Sequence, residues 1–144
     1  MQINGLAAIV TGGASGMGAA TARHLAKLGA KVTVLDMNEA AVRQVAEEIG
    51  GLDLLCDVSN AESAEKAVAE ARAAHGPARI LVNCAGIAPA KRIVGRDGAM
   101  PLDDFRRVIE VNLIGTFNML RLAAADMGTL DPLESGERGV IVNT

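Results

Sequence analysis

A glycine-rich turn near the start of the chain has the residue types that bind a diphosphate. It runs from Thr11 to Gly18 as T-G-G-A-S-G-M-G, between an apolar run and an alanine-rich stretch. Where a strand turns into a helix, free N–H groups and the helix dipole attract an anion, and glycine lets the anion approach. The spacing is T-G-x-x-x-G-x-G, not the generic G-x-G-x-x-G. A tight turn without a ligand is the alternative. The residues of this turn that we expect to contact the ligand are Gly12, Ser15, Gly16, Met17 and Gly18, with the N–H groups around Gly16 to Gly18 on the diphosphate.

A second chemically meaningful group is the carboxylate of Asp36. It stands at the end of another apolar run, eighteen positions after Gly18. A carboxylate placed there accepts hydrogen bonds from a ribose 2′-hydroxyl and repels a 2′-phosphate. The next arginine is Arg43, inside the following helical stretch. The turn and the carboxylate together favour NAD over NADP as the cofactor, against the alternative of a solvated aspartate in a turn.

The elements that must position these groups alternate between strand and helix patterns. Short apolar runs predict strands at 6–10, 31–35, 52–56, 79–83 and 140–143. Helical spacing is found at 17–28, from Asn38 to Gly50, from a capping box at Ser59–Glu62 to His75, and at 102–127. Residues 85–100 are read as a long functional loop. The alternation predicts an α/β fold, a doubly wound parallel sheet with helices on both faces.

Two further side chains need an interpretation. Asn112 continues the helical spacing of Phe105, Val108 and Ile109, so we expect its amide in a buried position. A buried amide needs partners, and both a structural network and a catalytic water site remain open. Cys84 follows the fourth strand with no histidine close to it in sequence. Lining the cofactor is therefore favoured over nucleophilic chemistry.

Composition and charge exclude several classes of partner. Half of the 144 residues are apolar, the formal net charge is −3, and lysine and arginine are scattered along the chain. We expect no nucleic-acid partner and no membrane. We expect no apolar stretch of membrane-spanning length, and Cys56 and Cys84 fit neither a metal site nor a disulfide framework. These features predict a cytoplasmic protein without a bound metal.

The motifs together resemble the short-chain dehydrogenase/reductase family along the whole chain. Beside the glycine turn, Asp57-Val58 is similar to the pair that faces the adenine in that family. Asn83-Cys84-Ala85-Gly86 is similar to the N-N-A-G signature, with a cysteine in place of the second asparagine. Asn112 stands where the family has its catalytic asparagine. The resemblance adds these residues to the predicted site, with Asn112 as its catalytic member.

The loop, the long helix and the last strand resemble one subgroup, the type 2 3-hydroxyacyl-CoA dehydrogenases. The resemblance lies in residues 82–88, 112–118 and 139–144, and in the polar insertion 128–138. It implies an NAD-dependent oxidoreductase that interconverts a secondary alcohol and a ketone, here a 3-hydroxyacyl-CoA and a 3-oxoacyl-CoA. The implied partner is a small-molecule acyl thioester. The family also implies a homo-oligomer, a dimer or tetramer, through the helix that starts at Leu102.

The family's proton-transfer residues do not occur in this sequence. They are a serine and a Y-x-x-x-K motif after the fifth strand, whereas this chain has no tyrosine and reaches residue 144 at that strand. We therefore expect residues 1–144 to form one Rossmann-type NAD-binding domain, incomplete at its C-terminal end and inactive alone, of a longer active enzyme. The alternatives are a reductase of 3-oxoacyl carrier protein, which would prefer NADPH, and a dinucleotide-binding module without catalysis.

Overall fold

The chain folds around a parallel sheet, as seen in a computed structural model that describes residues 1–96 and 98–144. The strands are β1 (Ala7–Thr11), β2 (Lys31–Asp36), β3 (Leu52–Leu55), β4 (Ile80–Asn83), β5 (Val94–Gly95), β6 (Gly98–Ala99) and β7 (Val140–Asn143). Five of them form the main sheet in the order β3-β2-β1-β4-β7, and every neighbouring pair is parallel. β5 and β6 form a separate antiparallel pair.

Helices cover both faces of the main sheet. They are α1 (Gly16–Lys27), α2 (Glu39–Ile49), α3 (Ala61–His75), α4 (Leu102–Ile109) and α5 (Thr116–Gly128), and a π-helical segment, Glu110–Gly115, joins α4 to α5. One apolar cluster packs α1 and α2 against the sheet, and a second packs α3 and α5 against the opposite face. The predicted doubly wound α/β fold is confirmed.

The strand β1 shows why this sequence forms a buried sheet. All five of its residues are buried. Because successive side chains of a strand point to opposite faces, Ile9 joins the core under α3 and α5 while Ala8 and Val10 join the core under α1 and α2. A strand covered on both faces needs a continuous apolar run, which this segment has. This central strand leads directly into the glycine turn.

Three local features differ from the expectations drawn from sequence. The loop 85–100 contains the short antiparallel pair β5–β6. The N-cap of α3 is Asn60, whose Oδ1 accepts from the Ser63 N–H at 2.9 Å, so Ser59 is not the cap that the capping-box pattern indicated. The Ser59 hydroxyl donates instead to Asp57 Oδ1 at 2.6 Å. The long helix is also interrupted by its π-helical segment.

The long helix Leu102–Gly128 contains a stretch that is long and apolar enough, by composition, to cross a membrane. The sequence interpretation did not expect such a stretch. Met119, Ala123 and Met127 of this helix are packed in the core together with α3 and the sheet. Only 22% of the most apolar window of the helix is buried, and Leu113, Ile114 and Phe117 are exposed, so packing in the core accounts for part of the apolar composition and not for all of it.

Candidate functional site

A cleft of about 370 Å³ opens at the carboxyl ends of the central strands, between the loops that follow β1, β2, β3 and β4. Open α/β sheets bind ligands at this edge, where connections to either face diverge and leave a crevice. All the residues predicted to contact a cofactor line the cleft except Asn83. The predicted catalytic residue, Asn112, is not among the lining residues, although its neighbour Val111 is.

The glycine turn forms the wall of the cleft at the start of α1. Gly12 has a φ of +63°, and a Cβ there would lie 2.7 Å from the Ala85 nitrogen. Gly16 has a φ of +50° and open space where its Cβ would be. Within the described residues, Ser15 makes no side-chain cap and the first turn of α1 carries no acidic group. The helix N–H groups are thus left for an anion, and this wall fits a diphosphate.

Asp36 closes one end of the cleft. Its Oδ2 accepts from the Ala14 N–H at 3.0 Å, and its Oδ1 accepts from the Asn38 N–H at 3.0 Å. These bonds fix the partly buried carboxylate between the glycine turn and the loop after β2. A carboxylate has about four acceptor positions, so about two remain for a ligand's hydroxyl groups.

The loop after β3 forms the neighbouring wall. The Cys56 N–H donates to the Asp36 carbonyl oxygen at 3.0 Å, which brings the strand end beside Asp36. Asp57 Oδ1 accepts from both the N–H and the hydroxyl of Ser59, and the Asp57 N–H donates to the Ser63 hydroxyl at 3.0 Å. Val58 lines the cleft. The wall is therefore a compact turn that is tied to the start of α3.

Asn83 has a different position from the one that the sequence predicted. Its side chain is buried; its Nδ2 donates to Asn143 Oδ1 at 2.9 Å, and its Oδ1 accepts from the Thr11 hydroxyl at 3.4 Å. The Thr11 hydroxyl in turn accepts from the N–H groups of Cys84 and Ala85 at 3.2 and 3.1 Å. Because its amide is hydrogen-bonded to Thr11 and Asn143 on the neighbouring strands, Asn83 connects the strand ends behind the cleft and does not line it.

Asn112 also differs from its sequence-based interpretation, because its side chain is exposed and not buried. Within the described residues no position of α4 is buried, so the apolar stripe that predicted burial is at most partly covered: Val108 and Ile109 are partly buried and Phe105 is exposed. The amide makes a reciprocal pair with Ile87: Oδ1 accepts from the Ile87 N–H and Nδ2 donates to the Ile87 carbonyl oxygen, both at 2.9 Å. Asn112 therefore holds the loop that follows Gly86 against the long helix.

The two thiols lie at opposite sides of the cleft lining. Cys56 is 2% exposed, and burial raises the pKa of its thiol to about 11, against the weaker opposing effect of the Ser63 hydrogen bond. A thiol with that pKa is protonated at neutral pH and is not a nucleophile. Cys84 is partly exposed and lines the cleft, and its contact with a cofactor stays a prediction.

Sequence reasoning missed several residues of this site. Five of them line the cleft beside predicted positions, and they are Leu35, Met37, Cys56, Ile87 and Val111. Their signal was adjacency to a strand end or to Asn112. Asn118 was also missed, although it is a polar residue in an apolar helix and only 5% exposed. A polar group among apolar residues needs partners, and this signal marks Asn118 as well as Asn112.

Three comparisons bear on the family. A sequence profile described as short chain dehydrogenase matches residues 6–144. Human 3-hydroxyacyl-CoA dehydrogenase type-2 is 40% identical over 147 residues, which cover 99% of this chain and 56% of that protein. A crystal structure of 3-hydroxyacyl-CoA dehydrogenase type-2 from Mycobacterium avium has a TM-score of 0.85 and 36% identity, covering 96% of this chain and 55% of that one.

A further solved structure shows that proteins with this fold carry different functional names. It is described as ribose-5-phosphate isomerase from Brucella melitensis 16M and matches with a TM-score of 0.84 and 35% identity, over 99% of this chain and 52% of that one. The described names thus differ among structures that share the fold, and fold alone does not fix the reaction. This chain spans about half the length of these relatives. The family profile covers the glycine turn and all four walls of the cleft, and the chain belongs to the short chain dehydrogenase family.

Proposed function

We propose that this chain binds NAD and is the cofactor-binding part of an oxidoreductase that interconverts a secondary alcohol and a ketone. The observation that carries the proposal is the Asp36 carboxylate, which lines the cleft and is held in place by two backbone N–H groups. A carboxylate at the end of the second strand accepts ribose hydroxyl groups and repels a 2′-phosphate, which favours NAD over NADP. NAD, when bound, would accept the hydride that leaves the carbinol carbon of the alcohol.

The cleft has a suitable group for each part of the dinucleotide. The N–H groups of Gly16 to Gly18 would bind the diphosphate, and Asp36 would bind the adenosine ribose. Asp57 and Val58 would face the adenine. Cys84, Ala85 and Gly86 would line the part of the cleft that remains for the nicotinamide end. Asn112 would keep this last wall in place through its reciprocal bonds with Ile87.

For the substrate we propose a 3-hydroxyacyl-CoA, oxidised to the 3-oxoacyl-CoA. Support comes from the relatives named 3-hydroxyacyl-CoA dehydrogenase type-2, which match 99% of this chain at 40% identity in the human case. The sequence has no tyrosine to serve as the general acid and base of the alcohol oxidation. We therefore expect the 144-residue chain to bind NADH without turning over an alcohol, and a longer natural form of the protein to carry the activity.

The test is a pair of fluorescence titrations with NADH and NADPH at one ionic strength. We expect saturable NADH binding and an affinity for NADPH at least about tenfold weaker. Absence of saturable binding of either coenzyme would overturn the proposal, and equal affinities would overturn the assignment to NAD. Turnover of 3-hydroxybutyryl-CoA with NAD, measured on the longest natural form, tests the substrate separately.

A dinucleotide-binding module without catalysis is the second candidate, and the lack of a tyrosine favours it. The two candidates agree on NADH binding and differ in turnover. The intact mass of the natural protein separates them. A mass near 14.8 kDa, together with NADH binding and no turnover, would support the module and remove the enzyme.

A further inference from the structure

A buried amide outside the cleft holds one of its walls. Asn118 lies on α5 and is 5% exposed. Its Nδ2 donates to the Val58 carbonyl oxygen at 2.8 Å and, at 3.4 Å, to the Asn60 carbonyl oxygen. Both carbonyls belong to the turn of residues 57–60, the purine-side loop. Val58 lines the cleft and Asn118 does not, so Asn118 contacts the site only through this loop.

The orientation of the Asn118 amide is set by a charged neighbour. Arg121 Nε donates to Asn118 Oδ1 at 2.9 Å, and Arg121 Nη2 binds Glu65 of α3 at 2.8 Å. With its oxygen engaged by the guanidinium, the amide must present its nitrogen to Val58. A flipped amide would place two oxygens together and leave a donor facing the guanidinium. The network therefore holds the donor towards the purine-side loop.

The long helix contacts the same loop at a second point, one turn earlier. Gly115 packs so closely on Val58 that a Cβ at this glycine would lie 2.6 Å from Val58 Cγ2. Within residues 1–96 and 98–144, the other side-chain hydrogen bonds of the loop lie inside the loop or at the start of α3, and the side chains involved are Asp57, Ser59, Asn60 and Ser63. These local bonds give the loop its shape. The contacts with Gly115 and Asn118 tie the loop to the long helix, in addition to the packing of Val58 in the core and the Cys56 N–H bond to the Asp36 carbonyl oxygen just before the loop.

We propose that Asn118 is a positioning residue that sets the preference of this site for adenine over other purines. The proposal rests on the proposed NAD function. Adenine carries an amino group at position 6, and hypoxanthine carries a carbonyl oxygen there. The Asp57 carboxylate can accept a hydrogen bond from the first and repels the second. This discrimination needs the loop at a fixed place, which the Asn118 amide provides, whereas the diphosphate and ribose contacts lie on β1, α1 and β2.

The experiment compares NADH with reduced nicotinamide hypoxanthine dinucleotide, by fluorescence titration of the wild-type protein and the variant Asn118→Leu. Leucine keeps the apolar bulk and leaves the Val58 carbonyl without its donor. We expect Asn118→Leu to weaken NADH binding about tenfold, the effect of losing the hydrogen bond between the displaced Asp57 carboxylate and the adenine amino group, and to weaken binding of the hypoxanthine form by no more than about twofold. The preference for adenine then falls about fivefold.

The matched control is Asp126→Asn, a buried polar change on the same helix whose side chain pairs with Arg72 of α3 and not with the loop. We expect it to lower the Tm and leave both affinities unchanged. An Asn118→Leu protein that weakens both dinucleotides equally, or neither, would overturn the proposal while the NAD assignment stands. Wild-type protein that binds neither dinucleotide would overturn both.

A second variant decides the matter if Asn118→Leu does not fold. Arg121 is 38% exposed, and Arg121→Met removes the group that orients the amide without emptying the core. We expect this variant to lose about threefold in affinity for NADH and to keep its affinity for the hypoxanthine form. Unchanged discrimination between the two purines in Arg121→Met would overturn the proposal.

Discussion

Replacing Asp36 with asparagine removes one charge from the cleft with almost no change in shape. In the protein the carboxylate accepts from the N–H groups of Ala14 and Asn38, both at 3.0 Å. An asparagine side chain has one acceptor oxygen, so it can keep only one of these bonds. We expect Asp36→Asn to lose about 1 kcal/mol of folding stability, which urea denaturation measures.

The larger effect of Asp36→Asn concerns the 2′-phosphate of NADPH. Two unit charges about 4 Å apart interact with about 1 kcal/mol in water and about 4 kcal/mol at an effective dielectric constant of about 20. Asp36 is partly exposed, so a value near the lower end applies. About 2 kcal/mol of repulsion corresponds to an affinity for NADPH that rises about 30-fold in the variant. NADH should bind about threefold to tenfold more weakly, because a charge-assisted bond to the ribose is lost.

Fluorescence titration of both coenzymes at low and high salt measures these changes. Salt screens the repulsion between partly exposed charges, so the preference of the wild-type protein for NADH over NADPH should shrink as the salt concentration rises. In the variant the ratio of the two affinities should change little with salt. Asp53→Asn is the control, since it removes a carboxylate from β3 that does not line the cleft. If Asp36→Asn still excluded NADPH while it bound NADH normally, the carboxylate would not be the discriminating group.

Three further changes test the packing and the thiols. Gly18→Ala should abolish NADH binding and lower stability by about 1–3 kcal/mol, because its Cβ would overlap a carbonyl oxygen of the glycine turn; titration and urea denaturation measure the two effects. Arg72→Met should cost about 2–3 kcal/mol in urea denaturation, since it leaves the Asp126 carboxylate, 4% exposed, without its partner. At pH 8 the reagent DTNB should modify Cys84 first, with protection by NADH, while Cys56, whose pKa burial raises to about 11, should react only after unfolding.

Matched controls exist for the first two of these changes. Gly128→Ala adds the same methyl group at a helical glycine with nothing within 4 Å of it, so stability should not fall. Arg23→Met breaks the exposed pair with Glu48, in which both side chains are about half exposed, and should change stability much less than Arg72→Met does. If Gly128→Ala and Gly18→Ala had equal effects, or if Arg23→Met cost as much as Arg72→Met, the packing argument would be wrong. Rapid modification of both thiols in the folded protein would contradict the burial of Cys56.

Much of the site could be predicted because parallel strands bring their carboxyl ends to one edge. Once β1 and β2 were recognised as strands, the turn after one and the carboxylate at the end of the other had to be neighbours. The hydrogen bond from the Ala14 N–H to the Asp36 carboxylate shows that the two are in contact. Asp57 and Cys84 follow by the same rule, since each comes just after a strand of the same sheet.

Local competition between hydrogen-bonding groups was harder to predict. Ser59 and Asn60 are both suitable N-caps, and the capping-box spacing favoured the serine. In the structure the Ser59 hydroxyl donates to the Asp57 carboxylate, and Asn60 is the N-cap of α3 instead. Asn83 does not line the cleft for a similar reason, since its amide is hydrogen-bonded to Thr11 and Asn143 at the neighbouring strand ends. Sequence spacing does not rank such partners, because the ranking depends on distances between separate elements.

The two asparagines of the long helix show what periodicity can and cannot determine. A helical stripe predicts which residues face the same side, but burial also requires another element to cover that side. Asn112 continues the apolar stripe and is nevertheless exposed, because burial along this helix begins only at Gly115 in the described structure. Asn118 lies three residues further, beneath the purine-side loop, and is buried. Each amide binds backbone atoms of a different cleft wall, so one helix holds two walls of the cleft. A change in the π-helical segment, which contains Asn112 and ends three residues before Asn118, would therefore shift one wall relative to the other.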